Sequence, residues 1–355
     1  MESENNNSNV FEEFKQIIKE LADSEDKNEE DSSTKELPKL PEKQTQTFQG
    51  DNINQLYDEY MKGNAVEFPP WVKIENKKVR ISPQELFIYI SENYHILVVK
   101  LGNAKGVNLY FYENGYYHLW LESDCKAFIK SFLPIKIRQP KDWEFVYREF
   151  LTEYSNIEES NLNADENIIN FRNGILNIDT EELLPHSPEY LCTIQIHYDW
   201  DPKVMLSTAK VTMKFLNDIT MENADDKATI LEYIGATITN IYGWRFKKFL
   251  VLKGKGNTGK SVLLDLVIFI LGLDNIFASD IKKLHSNFGL AGAYGKRLIC
   301  CGDMKFASLA EIDIIKELTG GDFVNLEAKY QNSFTTKYKG LMWFNCNDLP
   351  KFSRR

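Results

Sequence analysis

Eight consecutive residues, 254–261, read Gly-Lys-Gly-Asn-Thr-Gly-Lys-Ser and fit the spacing G-x-x-x-x-G-K-[ST] without a mismatch. Such a run suits one chemistry, the holding of a chain of phosphates. Several negative charges close together need backbone N–H donors aimed inward, from a loop whose side chains do not obstruct the approach. Gly254, Gly256 and Gly259 permit that approach. Lys255, Asn257 and Thr258 complete the loop, and Lys260 is placed to reach the terminal phosphates. The Ser261 hydroxyl is expected to ligate magnesium. A second chemical group follows about 40 residues later. The apolar run 296–303 ends in Asp303, and a carboxylate at the carboxyl end of a buried strand can hold the water shell of the same metal ion. A third lies at the end of the apolar run 341–345, where Asn345 and Asn347 are polar. An amide there can orient a water near the last phosphate, or can simply form an Asx turn.

These groups need a frame. Phe249, Leu250, Val251 and Leu252 read as a short strand buried on both faces, and 262–271 as an apolar helix. The loop therefore sits between strand and helix, and the helix N-terminus adds its partial positive charge. A glycine turn before a core helix is the plainer alternative, which the flanking strand and helix disfavour. Further strands are expected at 275–278, 296–303 and 341–345. Helices are expected across 203–243, with a connector carrying one strand, 192–197, before them. Upstream, 54–61 and the Ser82-Pro83 start announce helices, as do 123–132 and 143–154. Asn114-Gly115 between aromatic-rich runs signals a hairpin over 108–120, and Asn173-Gly174 a second over 168–178. The aromatics of the first hairpin suit either base stacking or two-sided packing, and packing is the expectation.

With 355 residues the chain has room for two ordinary domains and a tail, and a hydrophobic fraction of 43% is that of a protein with a core. The net charge of −10 is unevenly spread. Residues 1–50 carry 13 acidic against 6 basic side chains, about −7. Residues 245–355 carry 18 basic against 10 acidic, about +8, which points to a local polyanion partner. Residues 1–47 read as an acidic, largely disordered tail. It holds one amphipathic helix over 10–21, which either docks back or takes a protein partner. The three expected units are therefore 1–47, 48–204 and 205–355. Five cysteines with no C-x-x-C pair argue against a disulfide framework or zinc site and for a reducing, cytoplasmic setting. No signal peptide is legible. The longest apolar run, 262–273, is too short to span a bilayer, so no membrane association is expected.

Over residues 105–352 the sequence resembles the superfamily-3 helicases, in the phage and plasmid primase–helicase branch related to the poxvirus enzymes. Residues 171–179 with 197–202 look like that family's linker, 253–261 like its Walker A, and 297–304 like its Walker B with Asp303 where the family usually has Glu. The stretch 315–330 followed by 341–350 resembles its DNA hairpin and its sensor motif, with Asn347 as the sensor. The L-T-G-G-D run at 318–322 is the most specific of these. The resemblance implies an α/β fold: a P-loop, AAA+-like parallel-sheet motor, preceded by a smaller α+β linker domain. It implies ATP and Mg²⁺ as ligands, Lys260, Asp303 and Asn347 as catalytic residues, and Ser261 with Asp303 at the metal. It implies Lys329, Lys337 and Lys339 as phosphate-backbone contacts to single-stranded or forked DNA, and a homo-oligomeric ring. Nothing upstream holds a primase carboxylate cluster, so no priming activity is expected. The family continues beyond the sensor, so the motor is expected to be truncated, with Arg354 or Arg355 as the available substitutes for an arginine supplied to a neighbour. Two functions follow: an ATP-dependent helicase or replication motor of a mobile element, and a non-catalytic truncated subunit that binds nucleotide or a partner helicase and regulates it. A phosphate-loop kinase would need an acceptor site and lid that no segment announces.

Overall fold

The structure, a computed structural model, describes residues 48–349 apart from 77, 102–106, 154–156, 205, 287, 305–312 and 328–333. The 10–21 helix, Lys329, Arg354 and Arg355 lie outside the described residues.

The amino-terminal part opens with α1 (Asp51–Met61), the hairpin β1 (Val72–Glu75) and β2 (Lys78–Ile81), and α2 (Pro83–Asn93). Pro83 at the first helical turn has no N–H to leave unsatisfied, which is why the helix starts there. Next come β3 (Ile96–Lys100), β4 (Val107–Glu113), β5 (Tyr116–Trp120), α3 (Glu122–Ser131), α4 (Pro140–Glu153) and the short β6 (Ile157–Glu158). The sheet order is β5-β4-β3-β6. Asn114 (φ 52°) and Gly115 (φ 90°) turn β4 into β5, both left-handed, as a two-residue hairpin loop requires. The hairpin aromatics are packed. Phe111 stacks on Trp120 at 4.2 Å, and Tyr110 and Tyr117 are buried. Trp71 is fully buried and its indole N–H donates to the Phe132 carbonyl at 2.8 Å.

A second, three-stranded sheet follows: β7 (Ile168–Phe171), β8 (Gly174–Asn177) and β9 (Glu182–Leu184). The third strand was not foreseen. The strand expected over 192–197 is absent as such. That segment makes one bridge, Ile196 to Phe171, with Ile196 N–H donating to the Asn170 carbonyl at 2.7 Å. On the other side Tyr117 N–H donates to the Cys192 carbonyl at 2.7 Å. The segment stitches β5 to β7 and serves each sheet once, so neither ladder extends along it.

Residues 203–243 form two helices, α5 (Lys210–Ile219) and α6 (Ala224–Ile238). The break is at Met221 and Glu222, both at positive φ, and the Asn223 side chain caps α6 by accepting from the Asp225 and Asp226 N–H groups. The remaining elements are β10 (Leu250–Lys253), α7 (Lys260–Leu271), β11 (Ile276–Ala278), the one-turn α8 (Ile281–Leu284), β12 (Leu298–Cys301), α9 (Asp313–Gly320), β13 (Val324–Leu326), β14 (Phe334–Thr336) and β15 (Leu341–Cys346). Four of them make a wholly parallel sheet in the order β10-β15-β12-β11. Strands β13 and β14 pair as an antiparallel hairpin. The fold is thus mixed α/β with a parallel sheet.

Alternation along the strands divides the core. Leu298, Cys300, Leu341 and Trp343 face α6 and α7. Ile299, Met342, Phe344 and Cys346 face α9 and the β13–β14 hairpin. The first of these cores also takes in Ile169, Phe171, Leu176 and Ile196, so residues on both sides of position 204 share it. Strand β10 is half-buried, not buried on both faces, because it is the edge of the sheet among the described residues. One cation is sealed inside. Arg297 is 3% exposed, and its guanidinium donates to the carbonyls of Ala236 (2.7 Å), Thr237 (3.1 Å), Ile241 (2.6 Å) and Lys339 (3.0 Å). Two of these carbonyls belong to the last turn of α6, where a helix presents unpaired oxygens and partial negative charge.

Candidate active site

Parallel pairing puts the carboxyl ends of β10, β15 and β12 on one rim. The register is tight: Val251 and Cys301 both pair with Phe344, and Leu252 with Asn345. The 254–259 loop leaves that rim, and the Gly254 N–H donates to the Cys346 carbonyl at 3.2 Å. Asn257 (φ 60°) and Gly259 (φ 86°) take left-handed conformations that curl the loop. At Gly254 an added Cβ would come within 2.9 Å of the Thr258 hydroxyl oxygen, so a larger residue there would displace the side chain that braces the loop. Around Gly256 there is open space, which leaves its backbone approachable. The Thr258 hydroxyl donates to the Lys255 carbonyl at 2.9 Å and braces the curl. The first backbone bond of α7 runs from the Leu263 N–H to the Gly259 carbonyl at 3.0 Å, so the N–H groups of 260–262 have no partner within the helix.

The Lys260 ammonium folds back over this loop. It donates to the Gly254 carbonyl (2.8 Å), the Lys255 carbonyl (2.8 Å), the Thr258 hydroxyl (3.3 Å) and the Asn347 side-chain oxygen (3.4 Å). Two expected site residues 87 positions apart therefore meet. Asn345 does not share that role. It is fully buried, accepts from the Trp343 indole N–H at 3.0 Å and donates to the Lys260 carbonyl at 2.9 Å. It pins the first residue of α7 to β15. Of the polar pair at the end of this strand, Asn345 shares the parity of Trp343, which places it on the inward face and away from a water at the last phosphate.

Asp303 is exposed just past β12, and the next residue, Met304, donates its N–H to the Asn345 carbonyl at 2.7 Å. Its strand lies two places from β10, about 10 Å at ordinary strand spacing. The Cys346 thiol reports how the charges gather. Burial raises its pKa, Lys253 and Lys260 pull it down, and Asp348 and Asp303 push it up. The charges of Lys260 and Asp303 are thus both felt at the end of β15. Ser261 is exposed on the first turn of α7. The described residues hold no cluster of three or more His, Cys, Asp or Glu that could by itself bind a metal. One hydroxyl and one carboxylate on a rim match an ion brought in with a phosphate ligand and its own water, not a caged structural metal. The curled loop, the open face at Gly256 and the free N–H groups of the first helical turn fit a polyphosphate.

The hairpin lysines divide. Lys337, on the chain leaving β14, places its ammonium 4.8 Å from the Phe323 ring centre and 5.8 Å from that of Trp244. Lys339 turns inward, contrary to the expectation of a backbone grip. Its ammonium donates to the Glu159 (3.0 Å) and Leu162 (3.2 Å) carbonyls, and burial lowers its pKa. The Glu159 carboxylate accepts from the Thr336 hydroxyl at 2.8 Å, and burial raises its pKa. The root of the hairpin is therefore tied to the segment after β6.

Comparisons with known proteins bear on both halves. Residues 112–221 match the family described as D5 N terminal like, and residues 252–355 match a family of unknown function (DUF5906). A protein of Acanthamoeba polyphaga mimivirus provisionally named a helicase (L207/L206) is 26% identical over 200 residues, covering 53% of this chain and 20% of that protein. A protein of African swine fever virus provisionally named a primase (C962R) is 28% identical over 203 residues, covering 54% of this chain and 20% of its own length. The chain thus spans about a fifth of the length of these curated relatives. Among solved structures, the NrS-1 C-terminal region is similar with a TM-score of 0.46 and 13% identity, over 77% of this chain and 58% of that one. A JCV helicase is similar with a TM-score of 0.31 and 17% identity, over 42% of each chain.

Proposed function

We propose that this chain, which belongs to the phage and viral primase–helicase family, carries the motor: a superfamily-3 type, magnesium-dependent ATPase that works on single-stranded or forked DNA as part of a ring. The observation that carries the reading is the meeting of Lys260 and Asn347 over the curled 254–259 loop, at the carboxyl rim where β10, β15 and β12 end. Mg²⁺ and ATP would be held by Ser261, Asp303 and the loop N–H groups, and the ion supplies Lewis-acid charge neutralisation at the phosphates.

The chain's own groups do the remaining work. The Lys260 ammonium is kept in place by neutral oxygens, so it can exchange those weak partners for an anion without losing a salt bridge. Asn347 contributes an uncharged donor and acceptor suited to holding a water molecule in line with the last phosphate. Asn345 fixes the α7 terminus relative to β15, so the lysine and the sensor amide keep their spacing. The Lys260-to-Asn347 link also gives the site a path to the hairpin, because β15 follows directly from the 337–340 segment.

The test is a titration with a fluorescent (mant) ATP analogue with magnesium, beside an ATPase assay with and without single-stranded DNA. The wild-type protein binds the analogue and Lys260→Ala loses at least tenfold in affinity. Absence of binding, or indifference to Lys260→Ala, ends this reading.

A further inference from the structure

The sequence YGWRFKK at 242–248 forms a surface that the proposed active site does not use. A short turn, Gly243–Arg245, carries it against α9 at the end of the sheet opposite the phosphate loop. There the side chains alternate in kind. The Lys339 ammonium lies 5.6 Å from the Tyr242 ring centre, and Tyr242 stacks on Trp244 at 4.5 Å with 21° between planes. Lys337 stands between Trp244 and Phe323. The ladder is rooted: Trp244 packs on Gly321, where an added Cβ would come within 2.8 Å of its ring, and Gly243 packs on the Gly340 carbonyl. Its outer parts are open. Phe323 is 69% exposed, Phe246 40%, and Lys247 and Lys248 are both exposed. Arg245 pairs with Glu166 at 2.6 Å and is still more than half exposed, and Asp322 is the acid beside Phe323.

We propose that this face is a track for single-stranded nucleic acid, with a base stacked on Phe323 beside Lys337 and the phosphates running over Lys247 and Lys248. The assignment rests on the motor reading above and names a contact surface outside the β13–β14 hairpin. An exposed Phe323 ring beside the Lys337 ammonium, with Phe246, Lys247 and Lys248 exposed on the 242–248 segment, matches what a single strand offers: a π-face for a base and a charge for the phosphate. A folded acidic protein would satisfy the lysines but has no use for the solvent-facing Phe323 ring beside Lys337. The face adjoins the hairpin root through Lys337, so a strand held by the hairpin would reach it without crossing the sheet.

The experiment is fluorescence anisotropy of a labelled oligothymidylate across a salt series, with the wild-type chain, Phe323→Ala, and the double variant Lys247→Gln/Lys248→Gln. Thermal melting and mant-ATP binding check that the variants are folded. Phe323→Ala is expected to weaken binding by about tenfold with an unchanged salt slope, since one base loses its platform. The double variant is expected to flatten the slope of log affinity against log salt by about 1.4, two phosphate contacts on a single strand. Wild-type affinity and slope in both variants would overturn the track while leaving the motor reading intact. Failure of the wild-type chain to bind any oligonucleotide would instead remove the motor reading. A drop in molecular mass by light scattering in the variants without DNA would identify the face as a contact between copies, and would equally overturn the track.

Discussion

Replacing Arg297 by Met tests whether the sealed guanidinium holds the parallel-sheet half together. The four carbonyls it serves are not equal. The Ala236 oxygen keeps a second donor, the Thr239 hydroxyl at 3.2 Å, and the Lys339 oxygen keeps the Gly243 N–H at 3.0 Å. The Thr237 and Ile241 oxygens depend on Arg297 at 3.1 and 2.6 Å. The Thr237 carbonyl is buried and the Ile241 carbonyl part-buried, and carbonyls left without a donor there cost about 1–3 kcal/mol each, the second toward the lower end. Relief of the guanidinium's own burial, which lowers its pKa to about 10, offsets part of that. The net loss expected for Arg297→Met is about 3 kcal/mol, a large share of an ordinary stability of about 5–15 kcal/mol. Arg297→Lys keeps the charge, but three N–H groups on one nitrogen cannot span four oxygens, and it should fall between. Urea denaturation followed by tryptophan fluorescence reads both. A Met variant that unfolds at the wild-type midpoint would show that hydrophobic filling compensates fully, and would refute the clamp.

Three further outcomes are expected. Asn345→Leu fills the same volume but frees the α7 terminus, so the mant-ATP affinity should fall by about tenfold while Lys260 itself is intact; an unchanged affinity would separate the anchor from the site. Asn347→Ala should leave nucleotide affinity within about threefold and lower the ATPase turnover by at least about a hundredfold, the size of loss seen when one transition-state hydrogen-bond donor is removed; an equal fall in both would make it a binding group only. For Glu159 the folded chain holds its proton at pH values where the unfolded chain has released it, because burial raises its pKa above 4.5. Its favourable share of stability is therefore complete below 4.5 and lost as pH rises through the folded value. Wild type should weaken relative to Glu159→Gln between pH 4 and pH 7, measured by thermal melting, and a constant difference would contradict it.

The frame of the site was legible because its signals are local and redundant. A glycine loop between an apolar run and an apolar helix fixes the rim, and Asp303 and Asn347 each end a buried strand. The hairpin turns at Asn114-Gly115 and Asn173-Gly174 were legible for the same reason. What escaped depends on neighbours far along the chain. Residues 192–197 have strand-like composition, yet each of two sheets takes a single bond from them. Lys339 resembles any basic hairpin residue until Glu159 and Leu162, 177 or more positions away, offer their carbonyls. Arg297 sits in a run that reads as a strand start, and its burial follows from where α6 happens to end.

The core shared by α7 and residues 169–196 has a practical consequence for dissection. A fragment beginning near residue 205 would bare the seats of Ile169, Phe171, Leu176 and Ile196 on the very helix that opens at Lys260. The complementary piece would carry those four side chains into water. Expression of either alone should give aggregates. Heating the whole chain should melt the loop helix and the three-stranded sheet in one cooperative step.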